Sequence, residues 1–427
     1  MSRQKVYFCI DMKTFYASVE CAERGLNPFE TNLVVADVTR GKNALCLAIS
    51  PKLKAQGIRN RCRLSEIPPS IKYEIAPPRM ALYIQYSADI YDLYLDYFSP
   101  EDIHVYSIDE SFIDASSYLP AFKLQPKELA KKLIDLIAFK KHIPSTAGIG
   151  TNMYLAKIAL DITAKHSSDH IGYLDEKLYM RQLWGHRPIT DFWQISKGTE
   201  RRLAKYAIYD MRGIVNAPEE LLYKEFGVNA ELLIDHAWGR ESCTIADIKQ
   251  YKSKSKSVSF SQILPRDYSF AEARIVMIEM LQNGSMELIK RHLITSRVSF
   301  FIGYSKEQRP ADSGFVKIKL ATARCSVLEP AVIQAFDKTA DRQTPIRRLG
   351  LCFEKIADEG CEGYDLFTDF EAVEKEKRRD RVVLELKDKY GKNAVLRGTN
   401  LMEAGTQRER NNMIGGHRAG YDSTGKS

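Results

Sequence analysis

At 427 residues, 44% hydrophobic and 28% charged, the chain has the make-up of a globular protein with room for several domains and a large core. No apolar run approaches the ~20 residues that cross a bilayer, and the opening Met-Ser-Arg-Gln-Lys lacks the apolar stretch of a secretion signal, so a cytoplasmic protein with no membrane role is expected. The net charge is +8, and residues 249–358, with 19 Lys and Arg against 11 Asp and Glu, hold the whole excess; a basic module on a neutral body points to a polyanion, most simply nucleic acid.

The pattern opens with a strand over residues 5–11, with Val6, Phe8 and Ile10 on one face and Tyr7, Cys9 and Asp11 on the other. A helix over 14–24 follows, then strands over 32–37 and 43–49, and a short helix over 52–56 closed by Gly57. Pro68, Pro69, Pro77 and Pro78 punctuate the next segment before a tyrosine-rich helix over 80–98. A strand pair lies within 103–114, a helix over 126–141, a strand end at 146–150 and a helix over 152–165; this alternation reads as an α/β or α+β layer. Short helices run from 189 to 239, and the Lys-Ser repeat at 253–257 reads as a flexible linker and domain boundary. Strands over 258–263, 298–304, 315–320 and 347–353, with helices over 270–294 and 330–338, make a small α+β domain. A charged helix spans 371–390, and residues 398–427, rich in Gly, Asn and Arg, read as mobile when unbound. The eight cysteines show no Cys-x-x-Cys pair, which argues against a zinc site or disulfide framework; Cys9, Cys46 and Cys352 read as buried thiols.

The chemistry concentrates in Tyr106-Ser-Ile-Asp109-Glu110-Ser-Phe-Ile-Asp114. Ionised acids among Tyr106, Ile108, Phe112 and Ile113 are costly to bury without a partner, and a divalent cation is the simplest one. Asp11 ends a second apolar run, so three carboxylates on one sheet could hold the two magnesium ions of a phosphoryl transfer. Adjacent strand residues face opposite ways, so Asp109 and Glu110 can share a site only if the chain turns there, as at a hairpin tip near 107–111.

These segments resemble the Y-family, translesion DNA polymerases, and within them the UmuC-like branch of Gram-positive bacteria. Asp11-Met-Lys-Thr-Phe15-Tyr16-Ala-Ser-Val-Glu20 is similar to the first metal motif, Ser107-Ile-Asp109-Glu110-Ser-Phe to the second, and Gly148-Ile-Gly-Thr-Asn-Met-Tyr-Leu-Ala-Lys157-Ile-Ala-Leu-Asp161 to the segment closing the palm, in family order through about residue 360. The resemblance implies an α+β, right-hand polymerase: palm at 1–23 and 79–166, small fingers at 24–78, a helical thumb with a helix-hairpin-helix at 167–240, an α+β little finger at 252–358 and a tail at 359–427. It implies Asp11 and Asp109 bridging two magnesium ions, Glu110 on the catalytic ion and the Met12 carbonyl completing the nucleotide ion's shell. Thr14, Phe15, Tyr16, Lys54 and Lys157 become nucleotide contacts, with Tyr16 at the gate that rejects a 2′-hydroxyl. Pro51 stands where relatives commonly have a tyrosine, and Thr14 replaces an aromatic.

Ile189-Thr-Asp-Phe-Trp-Gln-Ile195-Ser-Lys-Gly198-Thr resembles a degenerate helix-hairpin-helix in which Lys197, Gly198 and Thr199 would hold a DNA phosphate, although Ser196 replaces the usual first glycine. Lys252, Lys254, Lys256, Arg324, Arg347 and Arg348 are the phosphate contacts expected of the little finger. Gly363-Tyr364-Asp365-Leu366-Phe367 ends like a bacterial sliding-clamp peptide, with Asp365, Leu366 and Phe367 as its clamp-binding end. The implied partners are primer-template DNA, deoxynucleoside triphosphates and the clamp; a monomer is expected, with an accessory subunit left open. The implied role is error-prone synthesis across damage in an SOS-type response, without proofreading. Two rivals stand beside it: a clamp- and DNA-binding accessory protein without catalysis, against which the intact acids argue, and a nucleotidyl cyclase, which has no use for the basic module.

Overall fold

The computed structural model describes residues 5–252, 257–305 and 309–420. The chain divides into two compact units, one reaching Lys252 and including Ala419 and Gly420, the other ending at Arg418. Of the Lys-Ser linker at 253–257, only Ser257 lies among the described residues. No helix among the described residues is long and apolar enough to cross a membrane.

In the first unit, a five-stranded sheet runs in the order β5 (Ile103–Val105), β6 (Glu110–Asp114), β1 (Tyr7–Met12), β7 (Ser145–Gly150), β8 (Ile171–Leu174). Only the β7–β8 pair is parallel. Phe8, Cys9 and Ile10 are wholly buried, so β1 is covered on both faces, which is why its run is nearly all apolar. Helix α1 (Phe15–Glu23) packs on a small sheet of β3 (Cys46–Ile49), β2 (Leu33–Ala36) and β4 (Glu74–Ala76). The core beneath that sheet joins Val34, Ala36, Cys46 and Ile49 to Leu53 of α2 (Pro51–Ala55). Helix α3 (Met80–Leu95) touches α1 and, beyond the short α4 (Tyr118–Phe122), α5 (Pro126–Lys141), which lies on β7.

Helix α6 (Met153–Ile158) lies directly on the backbone of β7. A Cβ on Gly148 would fall 2.0 Å from the Ala156 carbonyl oxygen, and one on Gly150 2.2 Å from the Ala156 nitrogen, so the Gly-Ile-Gly segment is a packing requirement. The helix expected over 152–165 does not continue as one: the chain passes through a π-helical turn at Ala159–Thr163 and a 3-10 turn at Ala164–His166. Helices α7 (Glu176–Leu183), α8 (Lys197–Ala204), α9 (Met211–Asn216), α10 (Glu219–Phe226) and α11 (Asn229–Ala237) enclose Tyr154, Tyr179, Phe192, Leu203 and Leu222. Ile245 of α12 (Ile245–Gln250) joins Tyr7 and Phe112 in a separate cluster.

The second unit is an antiparallel sheet in the order β11 (Asp312–Thr322), β10 (Leu293–Tyr304), β12 (Ile346–Asp358), β9 (Ser257–Tyr268), packed against α13 (Phe270–Lys290) and α14 (Cys325–Thr339). The expected helix over 270–294 overshoots: Leu293 and Ile294 pair with Asp358 and Ala357, and this distant pairing outweighs local helical periodicity. Helix α14 starts at Cys325 rather than at Pro330, because burying Cys325 and Leu328 offsets the hydrogen bond Pro330 cannot donate. Cys9 and Cys46 are buried as expected, whereas Cys352 is only half-buried.

Helix α15 (Phe370–Tyr390) packs on α13. The tail beyond it corrects the reading of residues 398–427 as mobile, as far as Gly420. It forms a 3-10 turn at Gly398–Leu401, α16 (Gln407–Arg410) and a hairpin of β13 (Met413–Ile414) with β14 (His417–Arg418). Its anchor is Glu279 of α13, 1% exposed, which accepts from Asn400 Nδ2 at 2.8 Å and from the Thr406 and Gln407 N–H groups at 2.7 and 3.2 Å. A buried carboxylate needs donors, and this Gly- and Asn-rich segment supplies them.

Candidate active site

The acids meet through backbone register. Asp11 and Glu110 are direct partners across the β1–β6 ladder, and the Met12 N–H donates to the Asp109 carbonyl at 2.9 Å. At the hairpin tip the Tyr106 and Ser107 N–H groups both donate to the Glu110 carbonyl, at 3.0 and 3.1 Å, while Ser107 Oγ donates to Asp109 Oδ1 at 2.6 Å. The turn takes Asp109 out of strand alternation and onto the same sheet end as its neighbours. Burial first, then the charges of Asp109 and Glu110, push the Asp11 pKa up to about 8.

Glu110 is 8% exposed; it accepts from Cys9 Sγ at 3.0 Å and from Lys157 Nζ at 2.8 Å. Lys157 also reaches Asp161 Oδ2 at 3.2 Å. Burial pulls the Lys157 pKa down, but Cys9, Glu110 and Asp161 together carry it above its ordinary value. Lys157, expected at the triphosphate, is thus placed as the counter-ion of Glu110. Among the described residues no three His, Cys, Asp or Glu side chains close around a cation as they stand. The donor set nonetheless fits magnesium: hard carboxylate oxygens brought to one sheet end by the β1–β6 register and the hairpin tip.

Tyr16 is half-buried on α1 with its ring stacked on Tyr83, centroids 4.7 Å apart and planes 22° apart. Burial and then the charge of Asp109 raise its hydroxyl's pKa, with Arg61 opposing. Phe15 is buried, and Thr14, at φ 46°, opens α1 with its hydroxyl 3.3 Å from Ser18 Oγ. Lys54 lies in the last turn of α2, whose first residue is Pro51, so the proline that departs from the resembled pattern serves as a helix start behind the Ser50 cap. Lys13 completes a basic pair: burial and then Lys54 lower its pKa, Asp11 opposes, and its Nζ lies 3.0 Å from His170 Nδ1. Sequence reasoning did not single out Lys13 or Arg61; the position of Lys13 between Asp11 and α1 was the available signal.

Ser196 caps α8, its Oγ accepting from the Thr199 N–H at 3.3 Å, and its extended backbone, φ −87° and ψ 165°, does not require a glycine; Lys197, Gly198 and Thr199 form the helix's first turn. Lys252 is exposed, and Lys254 and Lys256 lie outside the described residues. Arg348 is exposed over the Phe301 ring, and Arg347 lies 3.7 Å from Asp267. Arg324 departs from its expected phosphate role: its Nε turns to Thr322 Oγ1 at 3.3 Å and Glu362 at 3.8 Å. Leu366 and Phe367 are 99% and 94% exposed on a turn tied by Asp365 Oδ1, which accepts from the Phe367 N–H at 3.1 Å and the Thr368 hydroxyl at 2.8 Å.

Residues 10–161 match the impB/mucB/samB family and residues 255–366 its C-terminal domain. UvrX of Bacillus subtilis (strain 168), named for UV-damage repair, is 33% identical over 97% of this chain and 98% of its own length. DNA polymerase IV 2 of the same organism is 30% identical over 98% of this chain and 100% of its own. A solved Y-family DNA polymerase chimera of Dbh and Dpo4 superposes with a TM-score of 0.64 at 22% identity, covering 83% of this chain and 99% of that one, which is a likeness of fold.

Proposed function

The chain belongs to the impB/mucB/samB family of Y-family, DNA-directed DNA polymerases, and on that premise we propose that it inserts deoxynucleotides opposite damaged template bases by two-metal nucleotidyl transfer, in an SOS-type response. The observation that carries this reading is the placing of Asp11 opposite Glu110 with Asp109 at the adjoining hairpin tip. Palm (1–23 and 79–166), fingers (24–78), thumb (167–240) and little finger (252–358) are the divisions adopted within the two units.

Asp11, Asp109, Glu110 and the Met12 carbonyl would hold two magnesium ions, which supply Lewis-acid activation of the primer 3′-hydroxyl and neutralise charge on the leaving pyrophosphate. The protein's share is positioning and electrostatics. Lys13 sets positive charge near Asp11, with Lys54 adding to it, where a triphosphate needs it. Lys157 balances the charge of Glu110. Tyr16 excludes a 2′-hydroxyl sterically. The α8 N-terminus and the exposed Arg348 hold DNA through phosphates, without reading sequence. Leu366 and Phe367, built outward on a tied turn, fit insertion into an apolar pocket of a sliding clamp.

The test is primer extension across an abasic site and a thymine dimer. Asp109→Ala is expected to abolish extension with magnesium or manganese while primer-template affinity holds. Persisting extension by that variant removes the metal assignment; no extension by the wild type on any template leaves a catalytically silent binding protein.

A further inference from the structure

We infer that Glu20 and Arg79 are positioning residues for the sugar gate: they lock Tyr83 as the platform on which the Tyr16 ring rests, and thereby help set the preference for deoxy- over ribonucleotides. The inference rests on the reading of Tyr16 as that gate. Glu20 lies one turn beyond Tyr16 on α1, and its side chain is wholly buried. A carboxylate there demands full compensation. Arg79 supplies a fork, Nε to Oε1 at 2.9 Å and Nη2 to Oε2 at 2.8 Å. The Tyr83 hydroxyl donates to Oε1 at 2.7 Å, and Arg24 pairs with Oε2. Burial acts to raise the Glu20 pKa, but hydrogen bonds from Arg79, Arg24 and Tyr83 outweigh it and keep the group ionised.

Tyr83 is itself fully buried, and turning it away would leave a buried carboxylate oxygen short of a donor. The hydrogen bond therefore fixes the ring's axis, from Cβ to hydroxyl, and full burial restricts rotation about that axis, so the face that meets Tyr16 at 4.7 Å and 22° is held. Among the described residues the Tyr16 hydroxyl has no hydrogen-bond partner, so ring contacts with Tyr83 and, at 5.9 Å, Phe15 hold the gate. Arg79 is confined from its other side. The Ala419 carbonyl accepts from the Ala81 N–H at 2.9 Å, and a Cβ on Gly420 would fall 2.7 Å from Arg79 Cα. The end of the described chain thus seats the α3 N-terminus that carries Arg79.

The experiment compares kcat/KM for a deoxynucleotide and the matching ribonucleotide opposite an undamaged base, with melting temperature measured alongside. Glu20→Gln and Tyr83→Leu are expected to lower sugar discrimination about tenfold, and Tyr83→Phe, which keeps the ring and loses the donor, about threefold. The change should lie in the ribonucleotide KM, whereas mere destabilisation weakens use of both substrates alike. Tyr16→Ala should lower discrimination further, and adding Tyr83→Leu to it should change nothing more. If Tyr16→Ala relaxes selection while folded Tyr83→Leu and Glu20→Gln do not, the positioning role is overturned and the gate stands. If Tyr16→Ala leaves selection intact, the gate itself falls. Should Glu20→Gln fail to fold, the two Tyr83 variants decide the matter.

Discussion

Lys157 shows how much a single partner changes the meaning of a residue. In the motif it stands as a basic residue available to a triphosphate; in the fold its ammonium lies 2.8 Å from Glu110 and 3.2 Å from Asp161. Asp11, Asp109 and Glu110 were legible in sequence because acids inside apolar runs are costly and therefore conspicuous. The partner of Glu110 was not legible, because the direction of Lys157 depends on how α6 lies on β7. Removing one member of a buried ion pair leaves an uncompensated charge, so Lys157→Met is expected to cost about 3 kcal/mol in urea unfolding without divalent ions. Magnesium should recover part of that loss and should stabilise this variant more than the wild type, since the ammonium no longer competes for Glu110. Equal magnesium effects on both proteins would mean that Lys157 and the cation do not share that carboxylate. Arg324 makes the same point in reverse: a basic residue in a basic block, committed to Glu362.

At the scale of elements, the strands of the first unit were readable from alternation and burial, and the 103–114 hairpin was readable because Asp109 and Glu110 could not otherwise share a site. Helix ends fared worse where distant pairing decided them, as at Leu293 and Ile294 on β10. The tail is the clearest case. Its Gly, Asn and Arg content reads as disorder, yet Asn400, Thr406 and Gln407 converge on one carboxylate of α13. Glu279→Ala is expected to raise amide hydrogen exchange across residues 400–410 by at least about tenfold while exchange in β10 and β12 stays unchanged, because it removes the acceptor shared by two N–H groups at the start of α16. Unaltered exchange at Thr406 and Gln407 would show that the tail is held by something other than Glu279.

For the molecule as a whole, the excess charge within 249–358 predicts phosphate-dominated DNA binding that weakens steadily as salt rises. The exposed Leu366–Phe367 pair predicts a separable function. Replacing both with Ala should leave the melting temperature and short-primer extension unchanged and remove stimulation by a sliding clamp; persisting stimulation would place the clamp contact elsewhere. Sequence alone determined the acid trio, the order of the motifs, the basic block and the α+β alternation, because each is written in local composition, spacing and periodicity. Tertiary structure alone decided that Glu110 leans on Lys157, that Tyr16 stacks on Tyr83, whose hydroxyl donates to Glu20, that Arg324 turns to Glu362 and that the tail is folded. Those outcomes depend on which side chains from distant segments meet, and a buried charge selects its partner only after packing has brought the candidates within hydrogen-bonding reach.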